Sequence, residues 1–226
     1  GINQPGRVVD DFVSLPDLAV TFLEAAGAER PERMVSKSLV NVLSSEQSGQ
    51  VDPTRDAVFT GRERHVAQAR TNNLPYPMRA IRTDRYLYIV NFQPDRWPMG
   101  VGPKSGKPPS FEALRENTFV AYADLDASPT KAWIVTNRDK DQRAFQLAVG
   151  KRPRHELYDI QSDPHSMRNL AGDPQFADVQ SKLHQRLMEE LKRTGDPRVS
   201  DDIVFEKPPL TDPPPTKRKR RRPNKK

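Results

Sequence analysis

The chain contains segments in which apolar and polar residues alternate with a period of two, the pattern of half-buried β-strands. One such segment, residues 156–160, ends before a Ser-Asp-Pro turn sequence. A longer one, residues 78–92, is interrupted at Thr83-Asp84 and therefore predicts two strands joined in a hairpin. Because aromatic and β-branched side chains fill both segments, they predict an antiparallel sheet. Its strands are expected at residues 79–82, 85–90 and 156–159.

Two other segments carry apolar residues at the three- and four-residue spacing of amphipathic helices. In helix 14–26, Ser14 is the expected N-cap and Asp17 completes a capping box. The second helix begins at Pro174, ends near Gly195 and is expected to cover one face of the sheet. The apolar stripes are Leu15, Leu18, Phe22 and Ala26 in the first helix, and Phe176, Val179, Leu183, Leu187 and Leu191 in the second. Helix 14–26 lacks a partner sheet in this chain, so its apolar face is expected to be exposed and the chain to be poorly soluble.

The remaining segments predict one more strand, a short helix and irregular structure. Residues 57–60 predict a buried strand that delivers residues 61–65 at its end, where α/β folds place ligand groups. Residues 97–110 hold four prolines and three glycines and are expected to be irregular. Ser128 is expected to cap a helix that has Pro129 at its first position. The nearby apolar residues expected in the core are Trp133, Ile134, Phe145 and Leu147.

Composition and charge narrow the class of protein. The chain has 226 residues, 35% of them hydrophobic, and 22 prolines, so a large part must be loop. It has no cysteine, which excludes disulfides, thiolate metal sites and cysteine nucleophiles. Eight of the ten residues 217–226 are basic, and removing them from the net charge of +7 leaves −1 on the other 216 residues. A basic run that follows three prolines indicates a solvated tail rather than a nucleic-acid-binding face.

Targeting and membrane signals are not apparent in the sequence. No apolar run reaches the length of a transmembrane helix, and residues 1–5 lack the basic and apolar regions of a signal peptide. No pair of histidines has the spacing of a zinc site either. His155 and His165 lie beside turn residues and are expected to be structural or solvated.

Several short motifs occur in a fixed order along the chain: Tyr76-Pro77-Met78-Arg79, Asn91-Phe92, Glu156-Leu157-Tyr158-Asp159, Asp163-Pro164 and Asn169-Leu170. Together they resemble the C-terminal part of type I sulfatases. The branch that the chain resembles most is that of the heparan N-sulfatases, or sulfamidases. The resemblance extends over about residues 8–193, which is most of the chain.

This resemblance implies a fold and a division of the chain. The implied fold class is α/β, of the alkaline-phosphatase-like superfamily. Residues 1–50 would be the end of the sulfatase α/β domain, and residues 51–196 an α+β subdomain with a small antiparallel sheet packed on a C-terminal helix. Residues 197–226, rich in proline and basic side chains, are expected to be disordered.

The resemblance also implies a function. Type I sulfatases hydrolyse sulfate esters or sulfamates with a formylglycine, made from the first residue of Cys/Ser-x-Pro-Ser/Ala-x-Arg, beside a calcium ion. This chain lacks that motif, because Ser128-Pro129-Thr130-Lys131 has neither its spacing nor its arginine. The family's aspartate–asparagine metal pair is not recognisable in the sequence either. The chain is therefore predicted to be the C-terminal region of a sulfatase of sulfated carbohydrate, inactive alone. Calcium and formylglycine are expected in a catalytic N-terminal half, and an exported protein is expected from the family.

Two alternatives remain open at this point. One is a non-enzymatic module whose basic tail binds polyanions, although the absence of interleaved aromatic residues disfavours nucleic acid as the partner. The other is a phosphatase or phosphodiesterase of the same superfold. A coding segment upstream that contains the formylglycine motif would distinguish the sulfatase from both.

The candidate substrate-binding residues are three arginines and one histidine, Arg62, Arg64, His65 and Arg79. The first three follow the predicted strand 57–60, and arginine binds sulfate or carboxylate groups through paired hydrogen bonds. Arg79 is included because it follows Tyr-Pro-Met in one of the sulfatase-like motifs. The competing interpretation is a charged loop in which Glu63 and other acids pair with these cations.

Overall fold

The computed structural model describes residues 3–103, 107–200 and 205–206. Its four strands form one antiparallel sheet in the order β1-β2-β3-β4. The strands are β1 (Ala57–Arg62), β2 (Met78–Thr83), β3 (Tyr86–Asn91) and β4 (His155–Asp159). The α-helices are α1 (Leu15–Ala25), α2 (Val40–Ser44), α3 (Phe111–Glu116), α4 (Pro129–Thr136), α5 (Gln142–Ala148) and α6 (Ala177–Arg193). The predicted hairpin, the predicted strand near residue 156 and the antiparallel sheet are thus confirmed.

The main core lies between the sheet and α6. The register places Phe59, Ile81, Tyr88 and Leu157 opposite one another across the four strands, so they share one face of the sheet. The stripe Leu183, Leu187 and Leu191 of α6 is buried against that face. The helix ends at Arg193, and Gly195, two residues further on, has the positive φ of 68° that glycine tolerates after a helix. The prediction that this helix covers the sheet is confirmed.

The N-terminal segment is attached to the sheet region through buried polar contacts. The Asp17 carboxylate accepts the Ser14 N–H at 3.1 Å and pairs with Arg55 Nη1 at 2.8 Å. On the outer side of α1 the apolar residues are exposed, with 83% of Leu15 and 67% of Phe22 accessible to solvent. The expected exposed apolar face of helix 14–26 is therefore present.

A second core gathers around α3, α4 and α5. As expected, α4 begins after Ser128, whose hydroxyl accepts the Lys131 N–H at 3.1 Å. Ile134 and Phe145 pack against this core, but Trp133 is 48% exposed, which corrects the prediction for that residue. Ala132 lies on the face of α4 that enters the core, and the next residue, Trp133, therefore lies on a different face of the helix.

The structure corrects the burial of the strand at residues 57–60. β1 is an edge strand that pairs only with β2, and its residues are half-buried or exposed rather than buried. An edge strand has one strand neighbour instead of two, so less of its surface is covered. It belongs to the antiparallel sheet and has no parallel neighbour, so the rule for ligand groups in parallel α/β sheets does not apply to it.

Residues 197–226 were expected to be disordered, and the structure describes residues 197–200 and 205–206 of them. Residues Pro197–Val199 form a 3-10 turn, so order extends slightly further than expected. Phe205 and Glu206 contact the body of the protein. Residues 201–204 and 207–226 lie outside the described residues. In the part of the chain that the structure describes, no helix is long and apolar enough to cross a membrane.

Candidate functional site

The predicted cationic residues begin at the end of β1 and continue into the following loop. Arg62 is the last residue of β1, and its Nη2 lies 3.4 Å from the Pro98 carbonyl oxygen. Arg64 Nε donates to the Asn73 carbonyl oxygen at 2.7 Å. The His65 side chain is 58% exposed, and its Nδ1 lies 3.8 Å from an oxygen of Asp124. The three side chains share a loop but contact different neighbours.

Arg79 occupies a different environment, inside a buried ion-pair network. Its Nη2 donates to Glu63 at 2.8 Å and its Nε to Asp196 at 2.6 Å. Burial disfavours the charged form, but the hydrogen bonds that Arg79 donates to Asp196 and Glu63 outweigh it and raise the pKa of Arg79. Gly61 makes this arrangement possible, because a Cβ there would lie 2.7 Å from Arg79 Cδ.

The network continues from Arg79 to the segment that follows α6. Arg198 pairs with Glu63, and also with Glu206 at 2.9 Å. Glu206 pairs in turn with Arg96 at 2.9 Å. Three arginines and three carboxylates therefore neutralise one another and hold the segment after α6 next to the hairpin of β2 and β3. They are Arg79, Arg96, Arg198, Glu63, Asp196 and Glu206.

A groove of about 930 Å³ runs along β1, between the N-terminal segment and the C-terminal half of α6. Both Arg62 and Arg79 line it. The register nevertheless places them on opposite faces of the sheet, since Arg62 lies opposite Met78, the neighbour of Arg79. The structure therefore brings Arg62, Arg64 and His65 to one end of β1 and leaves Arg79 in the interior.

Sequence patterns did not reveal a second buried arginine beside this loop. Arg70 is 5% exposed, and its guanidinium donates to the carbonyl oxygens of Trp97 and Pro98 at 2.7 and 2.6 Å. It also pairs with the buried carboxylate of Asp124, 54 residues away. Because the two residues lie in irregular segments without periodicity, no local signal marks either of them.

A histidine pair lies on the other side of the molecule, between β4 and α6. The Tyr88 hydroxyl is 2.7 Å from His155 Nδ1 and 3.0 Å from His184 Nδ1. Burial lowers the pKa of both histidines and raises that of Tyr88 to about 12. All three line a cavity of about 340 Å³. These hydrogen bonds give His155 the structural role expected from its position.

The residues present do not fit a calcium site or a formylglycine. Among residues 3–103, 107–200 and 205–206, the structure brings together no group of three or more histidine or acidic side chains able to hold a metal ion. The sequence contains neither cysteine nor the formylglycine motif.

Comparison with known proteins finds that the chain is similar to sulfatases. It is 26% identical over 195 residues to an ulvan-active sulfatase of Formosa agariphila, covering 86% of this chain and 32% of that enzyme. It is 29% identical over 215 residues to the human N-sulphoglucosamine sulphohydrolase, covering 89% of this chain and 37% of that enzyme. The chain is therefore similar to the C-terminal part of these enzymes, as the resemblance in sequence predicted.

The chain spans about a third of the length of the curated relatives it matches. Among solved structures, a protein in complex with its substrate D-glucosamine-2-N,6-O-disulfate is 22% identical, with a TM-score of 0.46 over 85% of this chain and 25% of that one. No protein-family model matches the chain.

Proposed function

We propose that this chain is the C-terminal region of a sulfatase that hydrolyses sulfate ester or sulfamate groups of sulfated carbohydrate. The observation that carries the proposal is the match of more than four fifths of the chain to two enzymes named for sulfated sugars. The printed names of these relatives give two substrate types, N-sulphoglucosamine and ulvan, and the heparan N-sulfatase type is the one that the sequence motifs favour.

In the proposed enzyme, this chain contributes to substrate binding and a catalytic half supplies the chemistry. The nucleophile and the metal site belong to that other half, since the residues described above fit neither. The formylglycine and calcium ion of a sulfatase supply the nucleophile and neutralise charge on the sulfate oxygens. This chain alone is therefore expected to release no sulfate from any substrate.

The binding contribution is assigned to the loop at the end of β1. Arg62, Arg64 and His65 would form the rim that an anionic sugar meets, because Arg62 lines the groove and the positively charged Arg64 and the exposed His65 follow it in the chain. Arg79 would act as a positioning residue, since its bonds to Glu63 hold the loop between Arg62 and Arg64.

The first experiment is to sequence the coding DNA immediately upstream of this chain. The proposal expects a segment with Cys/Ser-x-Pro-Ser/Ala-x-Arg in the same reading frame or an adjacent one. A threonine or serine nucleophile in another context would favour a phosphatase or phosphodiesterase, and no hydrolase segment at all would favour a polyanion-binding module.

The second experiment uses the two segments together. Sulfate release from an N-sulfated glucosamine disaccharide, an ulvan oligosaccharide and an aryl sulfate is measured for the combined protein and for this chain alone as the control. Activity of the combined protein on a sulfated sugar supports the proposal. Activity on phosphate esters without sulfate release would contradict it.

A further inference from the structure

Two guanidinium groups and a phenol meet below the loop that follows β1. Arg62 Nη2 and Arg70 Nη2 both lie against the Pro98 carbonyl oxygen, at 3.4 and 2.6 Å. The Arg70 guanidinium also lies over the ring of Tyr76, with Cζ 5.6 Å from the ring centroid. The three side chains therefore form one cluster, here called the Arg62–Arg70–Tyr76 cluster.

The charges around this cluster leave Arg62 without an acidic partner. Asp124 pairs with Arg70, but its oxygen Oδ1 also accepts the Val66 N–H at 2.9 Å. The buried carboxylate of Glu156 acts on Tyr76 and accepts hydrogen bonds from Asn91 and Tyr158. No carboxylate of the described part of the chain pairs with Arg62. Burial lowers the pKa of Arg70, the Asp124 carboxylate opposes this shift, and the charge of Arg62 adds to it. An anion beside Arg62 would give this guanidinium a charged partner.

The cluster also contains hydrogen-bond donors that no described protein atom satisfies. Arg62 Nε, Arg70 Nη1 and the Tyr76 hydroxyl are each buried without an acceptor from residues 3–103, 107–200 and 205–206. Tyr76 is only 2% exposed. Buried donors without acceptors destabilise a fold, so they are rare in proteins unless water or a ligand accepts from them. Two of these three donors belong to cationic groups, for which the favoured acceptor is an anion.

We propose that Arg62, Arg70 and Tyr76 form a binding site for a single oxyanion group of the sulfate class. An oxyanion offers several acceptor oxygens to the forked donors of arginine and to a phenolic hydroxyl. Arg62 connects the cluster to solvent, because it also lines the groove along β1. The same chemistry is offered by free inorganic sulfate and by the sulfate group of a sugar, so both are compared in the test. The proposal does not require hydrolytic activity or a catalytic partner.

The test measures sulfate binding by the full chain with isothermal titration calorimetry. Sodium sulfate is titrated against a sodium chloride control at equal ionic strength, since sulfate also stabilises proteins without a site. Saturable binding is expected for sulfate and none for chloride. Glucosamine 6-sulfate and unsulfated glucosamine are titrated in the same way. Binding of both free sulfate and the sulfated sugar supports the site and a sugar as its source; binding of free sulfate alone supports the site and excludes the sugar.

Tyr76→Phe and Arg62→Gln are the informative variants. Each removes a hydrogen bond to a charged group, so the dissociation constant for sulfate is expected to rise about tenfold or more. Tyr86→Phe and Arg85→Gln are the matched controls, because they remove the same groups from β3 and from the turn before it. The controls are expected to bind sulfate like the original chain.

Thermal unfolding in sulfate-free buffer keeps the test independent of folding defects. Because the Tyr76 hydroxyl has no acceptor among the described residues, Tyr76→Phe is expected to unfold at the same or a higher temperature than the original chain. The proposal is overturned if the original chain shows no saturable sulfate binding, or if Tyr76→Phe binds sulfate as tightly as it does. A loss of stability in Tyr76→Phe without sulfate would also overturn it, since the hydroxyl would then have a protein partner.

Discussion

Replacing Arg79 with methionine should destabilise the protein far more than replacing an exposed arginine. Arg79→Met keeps most of the aliphatic volume but removes the charge that pairs with Glu63 at 2.8 Å and Asp196 at 2.6 Å. The side chains of Arg79, Glu63 and Asp196 are 7%, 16% and 15% exposed, so these two pairs are largely shielded from water. Removing one partner of a buried ion pair costs about 3–5 kcal/mol, because the other charge is left uncompensated.

The lower end of that range applies here, because part of the network survives the substitution. Glu63 retains Arg198, whose side chain is 6% exposed. Asp196 retains only the Arg198 backbone N–H at 2.9 Å. We therefore expect a loss of about 3 kcal/mol. For a chain of this size, that loss corresponds to a fall in the melting temperature of about 6–12 °C.

The assay is urea unfolding followed by circular dichroism, with Arg193→Met as the control. Arg193 is 54% exposed and pairs with Glu190 one turn away on α6. Such a pair contributes about 0.5 kcal/mol or less. Asp196→Asn completes a double-mutant cycle with Arg79→Met, and the two losses should not add. Our reasoning is refuted if Arg79→Met costs no more than Arg193→Met, or if the cycle is additive.

Three further predictions follow from single features. Burial and the charge of Arg154 hold the pKa of both His155 and His184 below the ordinary value of 6.5. As the pH falls below 6.5, the unfolded chain therefore takes up protons before the folded chain does, and the free energy of unfolding decreases. Above that pH the histidines are neutral in both states and do not change the free energy of unfolding. Urea unfolding between pH 4 and 8 measures this dependence, and His184→Gln is expected to make the free energy of unfolding depend less steeply on pH. In the complete sulfatase that we propose, Arg64→Ala should raise KM for a sulfated oligosaccharide far more than for a small aryl sulfate, by an amount equivalent to about 1.5–3 kcal/mol. Steady-state kinetics test this, and equal losses on both substrates would mean that the residue acts at the reacting sulfate or holds the fold. Phe22→Ser should reduce self-association, measured by light scattering, because the Phe22 side chain is 67% exposed. The melting temperature should fall by no more than about 2 °C. A larger fall would mean that Phe22 packs against the rest of the protein.

The candidate site was only partly accessible to sequence reasoning. The strand and loop that carry Arg62, Arg64 and His65 were predicted because β-branched and aromatic residues precede a glycine. The partners of Arg79 were not, since Asp196 is 117 residues away and contacts it only after α6 packs on the sheet. Arg70 and Tyr76 were not recognised as a cluster, because their meeting with Arg62 depends on the irregular segment that contains Pro98.

The sequence by itself determined the local elements of this protein. Alternation at residues 78–92 produced the hairpin, and the apolar spacing after Pro174 produced α6, because periods of two and 3.6 residues each place one set of side chains on one face. The tertiary structure alone decided that β1 lies at the sheet edge and that Arg79, unlike Arg62, belongs to a buried ion-pair network. Edge position, burial and charge pairing depend on segments distant in the chain, and no local pattern of residues encodes which of them will meet.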